Sequence, residues 1–154
     1  MSQKAENFFG MVLYSALFFY AGQALAFSGG TGAVNDPYLI DDTGAYAGTG
    51  CAQLQSISDS AANLSAYYKL TSDIDCTASS GWDGGQGFMP IKYDSQYFSG
   101  VLDGNGKTVT NLYIHRAQGN VGLFAIINGG AVINLRMAGA AYMVGMKWVP
   151  SPVH

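Results

Sequence analysis

The chain has 154 residues, of which 49% are hydrophobic, only 11% are charged and 21 are glycine. This composition is too apolar for a disordered chain and too rich in glycine for a helical bundle. The net charge of −3 offers no basic surface for nucleic acid. A single domain of short strands joined by Gly, Asp and Asn turns is therefore predicted.

Residues 1–26 predict an export signal. A weakly basic start with Lys4 precedes an apolar run over 8–20, and Ala24-Leu25-Ala26 supplies the small residues of a cleavage site. The run is short for a membrane-spanning helix, which needs about 20 residues; an uncleaved anchor is the alternative. In both cases the remainder is expected to be secreted or held at the cell surface.

The cysteines agree with that location. Cys51 and Cys76 are the only two in the chain, and an even number in an exported protein predicts a disulfide. A metal site and a thiol nucleophile are the alternatives. Two cysteines lack the other ligands of a zinc site, and neither lies in a recognisable nucleophile motif.

Along the mature chain, residues 36–40 predict a turn and a short strand. Residues 51–64 predict a helix that covers the end of a β-structure, because apolar side chains recur there at three- and four-residue spacing: Leu54, Ile57, Ala61 and Leu64. Further strands are predicted at 67–70, 73–76, 88–91, 97–102 and 108–114, with a turn at 103–106.

An internal echo follows these strands. Residues 106–114 and 129–137 share the pattern G-x-x-V-x-N-L-x-[IM], 23 residues apart. A period in the low twenties predicts one coil of a β-solenoid, with equivalent residues stacked. The stacked pairs would be Val109 on Val132, Leu112 on Leu135, Ile114 on Met137, and Asn111 on Asn134 as a ladder. The alternative is a hairpin in which the two copies are antiparallel partners.

Several segments in order carry a family resemblance: GTG, DPYLI, CAQLQSI, YYKLTSDIDC, GFMPI, YFSGVLDGNGKTVTNLYI and GNVGLFAIINGGAVINL. Over roughly residues 27–137 this series resembles secreted and surface proteins, often adhesin-like, that carry GLUG-type repeats. The resemblance implies a right-handed parallel β-helix, one repeat at 119–139 and no established catalytic residues. The chain departs from the family at Lys92, where family members usually have Gly.

The expected fold is therefore an all-β, right-handed parallel β-helix, short or truncated, with an N-terminal helical cap. Its predicted divisions are a signal peptide at 1–26, the cap and first strands with the disulfide at 27–76, solenoid rungs at 77–137 and a degenerate tail at 138–154. Because proteins of the family continue for many rungs, the chain is expected to be a fragment of a longer protein. Cover of the last rung by a partner or a second copy is the alternative.

Acidic residues are the first candidates for chemistry. Asp73 and Asp75 would share a strand face and, with Asp103, are candidates for ligand or Ca²⁺ contact or for acid–base work. The alternative is a solvent-facing strand edge with Ile74 buried, and a plain turn at 103–106. His115 and Arg116 could serve a polysaccharide-cleaving site, but adjacent strand positions face opposite ways.

Aromatic residues are the second candidates. Trp82, Tyr67 and Tyr97 could stack on sugar rings, although aromatic side chains also fill β-cores. No catalytic residue, metal or cofactor is predicted. The predicted function is a non-catalytic secreted or cell-surface module with an adhesive or spacer role; a polysaccharide lyase or hydrolase and a carbohydrate-binding module are the alternatives. The predicted partners are a surface glycan or a host or neighbour cell component, and a second copy through an exposed terminal rung.

Overall fold

The computed structural model describes residues 26–43, 49–117 and 119–139. The elements are the strands β1 (Tyr38–Ile40), β2 (Tyr67–Leu70), β3 (Ile74–Asp75), β4 (Val101–Asp103), β5 (Thr108–Thr110), β6 (Ala131–Ile133) and β7 (Arg136–Ala138), the helices α1 (Gly50–Ser56) and α2 (Ala61–Leu64), and 3-10 turns at Ile57–Asp59, Thr77–Gly81 and Asp83–Gly85. The predicted leader up to residue 25 and the tail from residue 140 lie outside the described residues.

The strands form two small parallel sheets, with orders β1-β2-β4-β6 and β3-β5-β7. In the first sheet, Leu102 pairs with Tyr68 on one side and Val132 on the other. In the second, Val109 pairs with Ile74 and Met137. Strands that follow one another in the sequence thus alternate between the sheets from β2 to β7.

The prediction of an all-β, right-handed parallel β-helix with a helical cap is wrong. The structure is a mixed α/β arrangement of strands two to four residues long in two small sheets, with short helices. The strands are short because turn formers interrupt them. Asn111 and Asn134, for example, follow β5 and β6 with positive φ angles of 57° and 54°, a conformation that ends a strand.

The register derived from the internal echo is also wrong. Val109 and Val132 are not stacked neighbours, because β5 and β6 belong to different sheets. The same separation excludes the antiparallel hairpin. Met137 pairs with Val109 and not with Ile114. The echo instead marks the same local conformation in both copies, a short strand that ends at a left-handed Asn.

Helical structure does occur where the apolar spacing predicts it. Leu54, Ile57 and Leu64 are completely or almost completely buried, whereas Ala61 is only half-buried. The helical run is interrupted at Ser60, which has an extended backbone and whose hydroxyl accepts a 3.2 Å bond from the Asn63 N–H. Ser60 therefore caps α2 and ends the preceding turn.

The core lies between the sheets and the helices. Along β2, Tyr68 and Leu70 are buried while their neighbours are half-buried, as the two-residue period of a strand requires. Aromatic rings continue this core in one row, with centroid distances of 4.5 to 6.3 Å between successive rings: Phe27, Tyr38, Tyr68, Phe98 and Phe124. The Tyr68 hydroxyl donates to the Asn63 carbonyl at 2.7 Å, and burial raises the pKa of this phenol well above its ordinary value.

Small residues stand immediately before three strands of the first sheet, at Ala66, Gly100 and Gly130. The Val101 N–H donates to the Ala66 carbonyl, and the Ala131 N–H donates to that of Gly100. A Cβ at Gly100 would collide with the Ala66 carbonyl oxygen, and one at Gly130 would lie 2.6 Å from the Gly100 carbonyl oxygen. Close stacking of backbone on backbone explains why Gly100 and Gly130 have no side chain.

The two ends of the sheets differ. The outer side of β1 is covered, because the Ser28 N–H donates to the Leu39 carbonyl and the Leu39 N–H donates to the Gly29 carbonyl, both at 2.8 Å. In addition, α1 contacts β3. At the other end, no strand of the described residues pairs with the outer edges of β6 and β7. Ile133 and Met137 are 45% and 50% exposed there.

Candidate functional site

A cleft of about 310 Å³ opens between the turn that follows Phe88 and a second wall formed by Arg116, residues 119–121 and Ala125. Charged, aromatic and apolar side chains share its walls. The main lining residues are Met89, Pro90, Lys92, Tyr97, Arg116 and Val121. This volume is at the lower limit for pockets that hold small molecules.

A tight turn positions Lys92 and Tyr97. Tyr93 and Gln96 exchange backbone bonds of 3.1 and 2.8 Å, and Asp94 between them has a φ of 51°. Lys92 and Tyr97 are therefore the next residues outward on the two arms of one antiparallel turn, and both line the cleft. The ring of Tyr97 is 36% exposed, so it is available to a ligand.

Both arms of this turn are anchored in the core. Ile91 and Phe98 have no exposed surface. The Ile91 N–H donates to the Leu123 carbonyl at 2.9 Å, and the Asn128 N–H donates to the Phe98 carbonyl at 2.8 Å. The cleft walls are thus tied to each other by backbone hydrogen bonds, which fixes the distance between them.

A side chain from α1 fixes the rim of the cleft. The Gln55 amide accepts a 2.8 Å bond from the Met89 N–H and donates a 3.0 Å bond to the Met89 carbonyl. One glutamine therefore satisfies both backbone groups of a residue that pairs with no strand. The Met89 side chain is left 43% exposed at the cleft.

Arg116 lines the cleft and is almost completely buried. Its guanidinium donates to the carbonyls of Phe88 (3.1 Å) and Gly87 (2.9 Å) and to the side chains of Gln86 (3.4 Å) and Asp83 (2.8 Å). The Asp83 contact is an ion pair whose acidic partner is half exposed. Four of the five guanidinium N–H groups are thereby used, so Arg116 mainly holds the 83–88 loop.

The charge of the cleft is opposite to that of the chain. Lys92 and Arg116 line it, and none of the other lining residues that the structure describes is acidic, whereas the whole chain has a net charge of −3. Asp83, through its ion pair with Arg116, offsets part of the Arg116 charge. The arrangement favours an anionic group close to Lys92.

The three aspartates singled out in the sequence lie elsewhere and act in turns. Asp73 accepts a 2.8 Å bond from the Thr108 N–H. Asp103 accepts from the Asn105 N–H at 2.8 Å and from the Asn134 amide at 3.1 Å. Ile74 is buried between exposed Asp73 and Asp75, as the strand-edge alternative predicts. The turn predicted at 103–106 lies one residue later, at 104–107, where the Lys107 N–H donates to the Gly104 carbonyl, and Asp103 is the last residue of β4.

Asp75 is the most heavily bonded of the three. Its carboxylate accepts from the Thr77 hydroxyl (2.6 Å), the Thr77 N–H (2.9 Å) and the Asn111 amide (3.1 Å). These hydrogen bonds, led by that of the Thr77 hydroxyl, lower the pKa of the Asp75 carboxyl. Asp75 and Asp103 end strands of different sheets, and neither lines the cleft.

The aromatic candidates are separated from one another. Tyr97 lines the cleft, but Trp82 is half-buried with its ring stacked 6.3 Å from that of Phe88, and Tyr67 is half-buried in β2. His115 is exposed, while Arg116 is buried. The expectation that these two neighbours face opposite ways is therefore met.

The sequence analysis missed Lys92 and Gln55 as contributors to a site. Lys92 carried a signal, because it stands where the resembled family usually has Gly. Gln55 carried none, since its role depends on the packing of α1 against the 88–91 segment. In the described ranges, no three His, Cys, Asp or Glu side chains are grouped to hold a metal ion, and no helix is long and apolar enough to cross a membrane.

Cys51 and Cys76 form a disulfide, with a Cα–Cα distance of 5.2 Å. Both cysteines are completely buried. The bridge joins α1 to the residue that follows β3, so it holds the helical segment on the second sheet.

Comparison with known proteins finds two curated relatives. The chain is 37% identical over 116 residues to Halomucin of Haloquadratum walsbyi, a match that covers 73% of this chain and 1% of that protein. It is 35% identical over 132 residues to a protein of Evansella cellulosilytica named "Putative Gly-rich membrane protein", covering 83% of this chain and 14% of that one. The chain thus spans a small fraction of each relative.

No family model matches the chain, and no solved structure matches it. The resemblance to GLUG-type proteins therefore stays a prediction.

Proposed function

We propose that this chain is a non-catalytic module of a surface protein outside the cytoplasm, with a structural or adhesive role. The observation that carries the proposal is the buried Cys51–Cys76 disulfide. Disulfides persist in oxidising compartments and are rare in the cytosol. The bridge thus supports the same location as the predicted export signal at 1–26.

The relatives support a surface or membrane location. One of them carries the words "membrane protein" in its name, and the chain matches only 1% and 14% of the two relatives. A segment that matches so little of a long protein is better explained as one module of that protein than as its complete functional unit. We propose that the chain serves as such a module.

A structural role is supported by how the polar side chains are used. Asp73, Asp75 and Asp103 accept hydrogen bonds from neighbouring turns, and Arg116 holds a loop through four bonds. These are the groups that acid–base chemistry on a polysaccharide would need. They stabilise the connections between strands instead.

The location is tested on intact cells that express the chain with a C-terminal epitope tag. We expect added protease to remove the tag without lysis, and the two cysteines to react with a maleimide only after reduction. A cytosolic protein carrying the same tag is the matched control. A tag that is protected until lysis, together with cysteines that react without reduction, would contradict the proposal.

A further inference from the structure

We infer that the cleft beside Lys92 binds an acidic sugar of the uronate class, with Lys92 and Arg116 facing the carboxylate and Tyr97 facing the sugar ring. The inference deepens the proposed adhesive role by naming a ligand class. Binding by the purified protein does not depend on where the protein resides, so the two proposals can fail separately.

Charge is the first argument. Among the described residues, two cationic side chains and no acidic one line the cleft of a chain whose net charge is −3. A ligand carboxylate would meet the Lys92 ammonium. The Arg116 guanidinium donates four N–H groups to described residues of the protein, and none of these bonds uses its fifth N–H. A charge-assisted bond to either cation is stronger than a neutral one.

The apolar part of the lining is the second argument. Tyr97 and Met89 are 36% and 43% exposed, and both lie on the cleft. An aromatic face and a thioether suit the C–H face of a pyranose ring, which is apolar, while the ring substituents stay polar. A bare inorganic anion would use the cations but would leave this surface in water. The combination favours a sugar that carries a carboxylate.

Rigidity is the third argument. The turn that bears Lys92 and Tyr97 is closed by the paired backbone bonds of Tyr93 and Gln96. Gln55 holds the Met89 backbone through two further bonds. A site that is already ordered loses little conformational entropy when a ligand binds. These hydrogen bonds therefore hold the cleft in one conformation before a ligand binds.

The test is calorimetric titration of the purified, disulfide-bonded protein with trigalacturonate and with its methyl ester, which has the same shape without the charge. We expect the acid to bind about tenfold more tightly than the ester, since the ester loses the charge-assisted bonds. The difference should shrink as ionic strength rises.

Variants assign the residues. Lys92→Ala should weaken trigalacturonate binding about tenfold and remove most of its advantage over the ester, while Lys107→Ala, which removes the same charge outside the cleft, should change neither. Tyr97→Ala should weaken acid and ester alike by about threefold to tenfold. Tyr93→Ala is its control, because Tyr93 is exposed on the same turn but does not line the cleft.

Three results would overturn the inference: binding of neither trisaccharide, equal binding of acid and ester, or an unchanged affinity in a folded Lys92→Ala protein. Inorganic sulfate separates a sugar site from a simple anion site. Displacement of trigalacturonate by an equal concentration of sulfate would show that the sugar ring contributes nothing, and would also overturn it.

Discussion

The Asn111 side-chain amide donates a 3.1 Å hydrogen bond to the Asp75 carboxylate, across the paired strands β5 and β3. Asn134 and Asp103 repeat this relationship at the same distance across β6 and β4. In both cases the aspartate ends its strand, and the asparagine follows the residue paired with it. In each sheet, one pair of neighbouring strands thus has the same Asp–Asn hydrogen bond at its carboxyl end.

The left-handed backbone and the amide bond of Asn111 can be separated by substitution. Asn111→Gly loses the amide hydrogen bonds to Asp75 and Thr77 but keeps the positive φ at no steric cost, whereas Asn111→Ala loses the same bonds and strains the backbone. We expect the glycine variant to lower the free energy of unfolding by about 1 kcal/mol and the alanine variant by about 2 kcal/mol. Urea denaturation measures both. An alanine variant as stable as the glycine variant would contradict the left-handed conformation.

The Asp75 carboxylate predicts a dependence of stability on pH. Its pKa is lowered in the folded protein, so its contribution is present above the ordinary aspartate pKa of about 3.9 and is lost as pH falls through the lower, folded pKa. The Tm of the native protein should therefore exceed that of Asp75→Asn above about pH 4, and the two should converge in stronger acid.

The cause of that pKa shift is tested at Thr77. Thr77→Val removes the hydroxyl that donates to Asp75 at 2.6 Å. The variant also removes the 3.0 Å bond from the Asn111 amide to that hydroxyl, but it keeps the Thr77 N–H and the Asn111 amide as donors to Asp75. An NMR titration should then show the Asp75 pKa closer to its ordinary value. An unchanged titration in Thr77→Val would show that another group sets the pKa.

The disulfide stabilises the folded protein by restricting the unfolded chain. It joins residues 25 positions apart, and the chain-entropy relation gives about 3.5 kcal/mol of stabilisation for a loop of this length. Reduction with dithiothreitol should lower the free energy of unfolding by about this amount. The double variant Cys51→Ser, Cys76→Ser should start from the lower value and should not respond to dithiothreitol; a response would implicate another effect of the reagent.

Gly100 is the most sensitive of the small residues in the first sheet. Gly100→Ala places a methyl group on the Ala66 carbonyl oxygen, and we expect a loss of about 2 kcal/mol because neither backbone can move without breaking the strand pairing. Gly81→Ala is the matched control, since a Cβ there would meet nothing within 4 Å. Equal stability of the two variants, measured by thermal denaturation, would contradict the close stacking.

The exposed edges of β6 and β7 predict association between copies. Among the described residues, no strand pairs with the outer edges beside Ile133 and Met137, which are about half exposed, and such edges form a template for another strand. We expect light scattering to show a dimer that Ile133→Lys converts to a monomer. Val34→Lys, at a 63% exposed apolar residue elsewhere, should leave the dimer intact. A monomeric native protein at all accessible concentrations would contradict the prediction.

Local features of this fold were predictable from sequence, whereas the pairing was not. The burial of Leu54, Ile57 and Leu64 follows from their spacing, and a turn within one residue of the predicted 103–106 follows from the Asp-Gly and Asn-Gly pairs. Strand register depends on contacts between distant residues. The repeated V-x-N-L pattern reflects a local turn and not strand pairing. It predicted paired strands 23 residues apart, whereas the strands that pair with β4 and β5 lie 30 and 28 residues later in the sequence.

A better signal for the register was present but weak. Ala66, Gly100 and Gly130 precede successive strands of one sheet, yet small residues are too common in this chain to be noticed. The cleft was only partly predictable. Tyr97 was a candidate from its residue type, but the grouping of Lys92, Met89 and Arg116 around it depends on how two separate loops fold against each other.

The cover that Ser28 and Gly29 place over β1 has a consequence for how many copies can join. The β1 backbone at that end is engaged by Ser28 and Gly29, and α1 contacts β3, whereas in the part of the chain that the structure describes β6 and β7 have no strand partner on their outer sides. If copies pair through β6 and β7 alone, each copy offers one site for another copy. Association of that kind is expected to stop at a symmetric pair, because a second site would be needed to extend it into a filament.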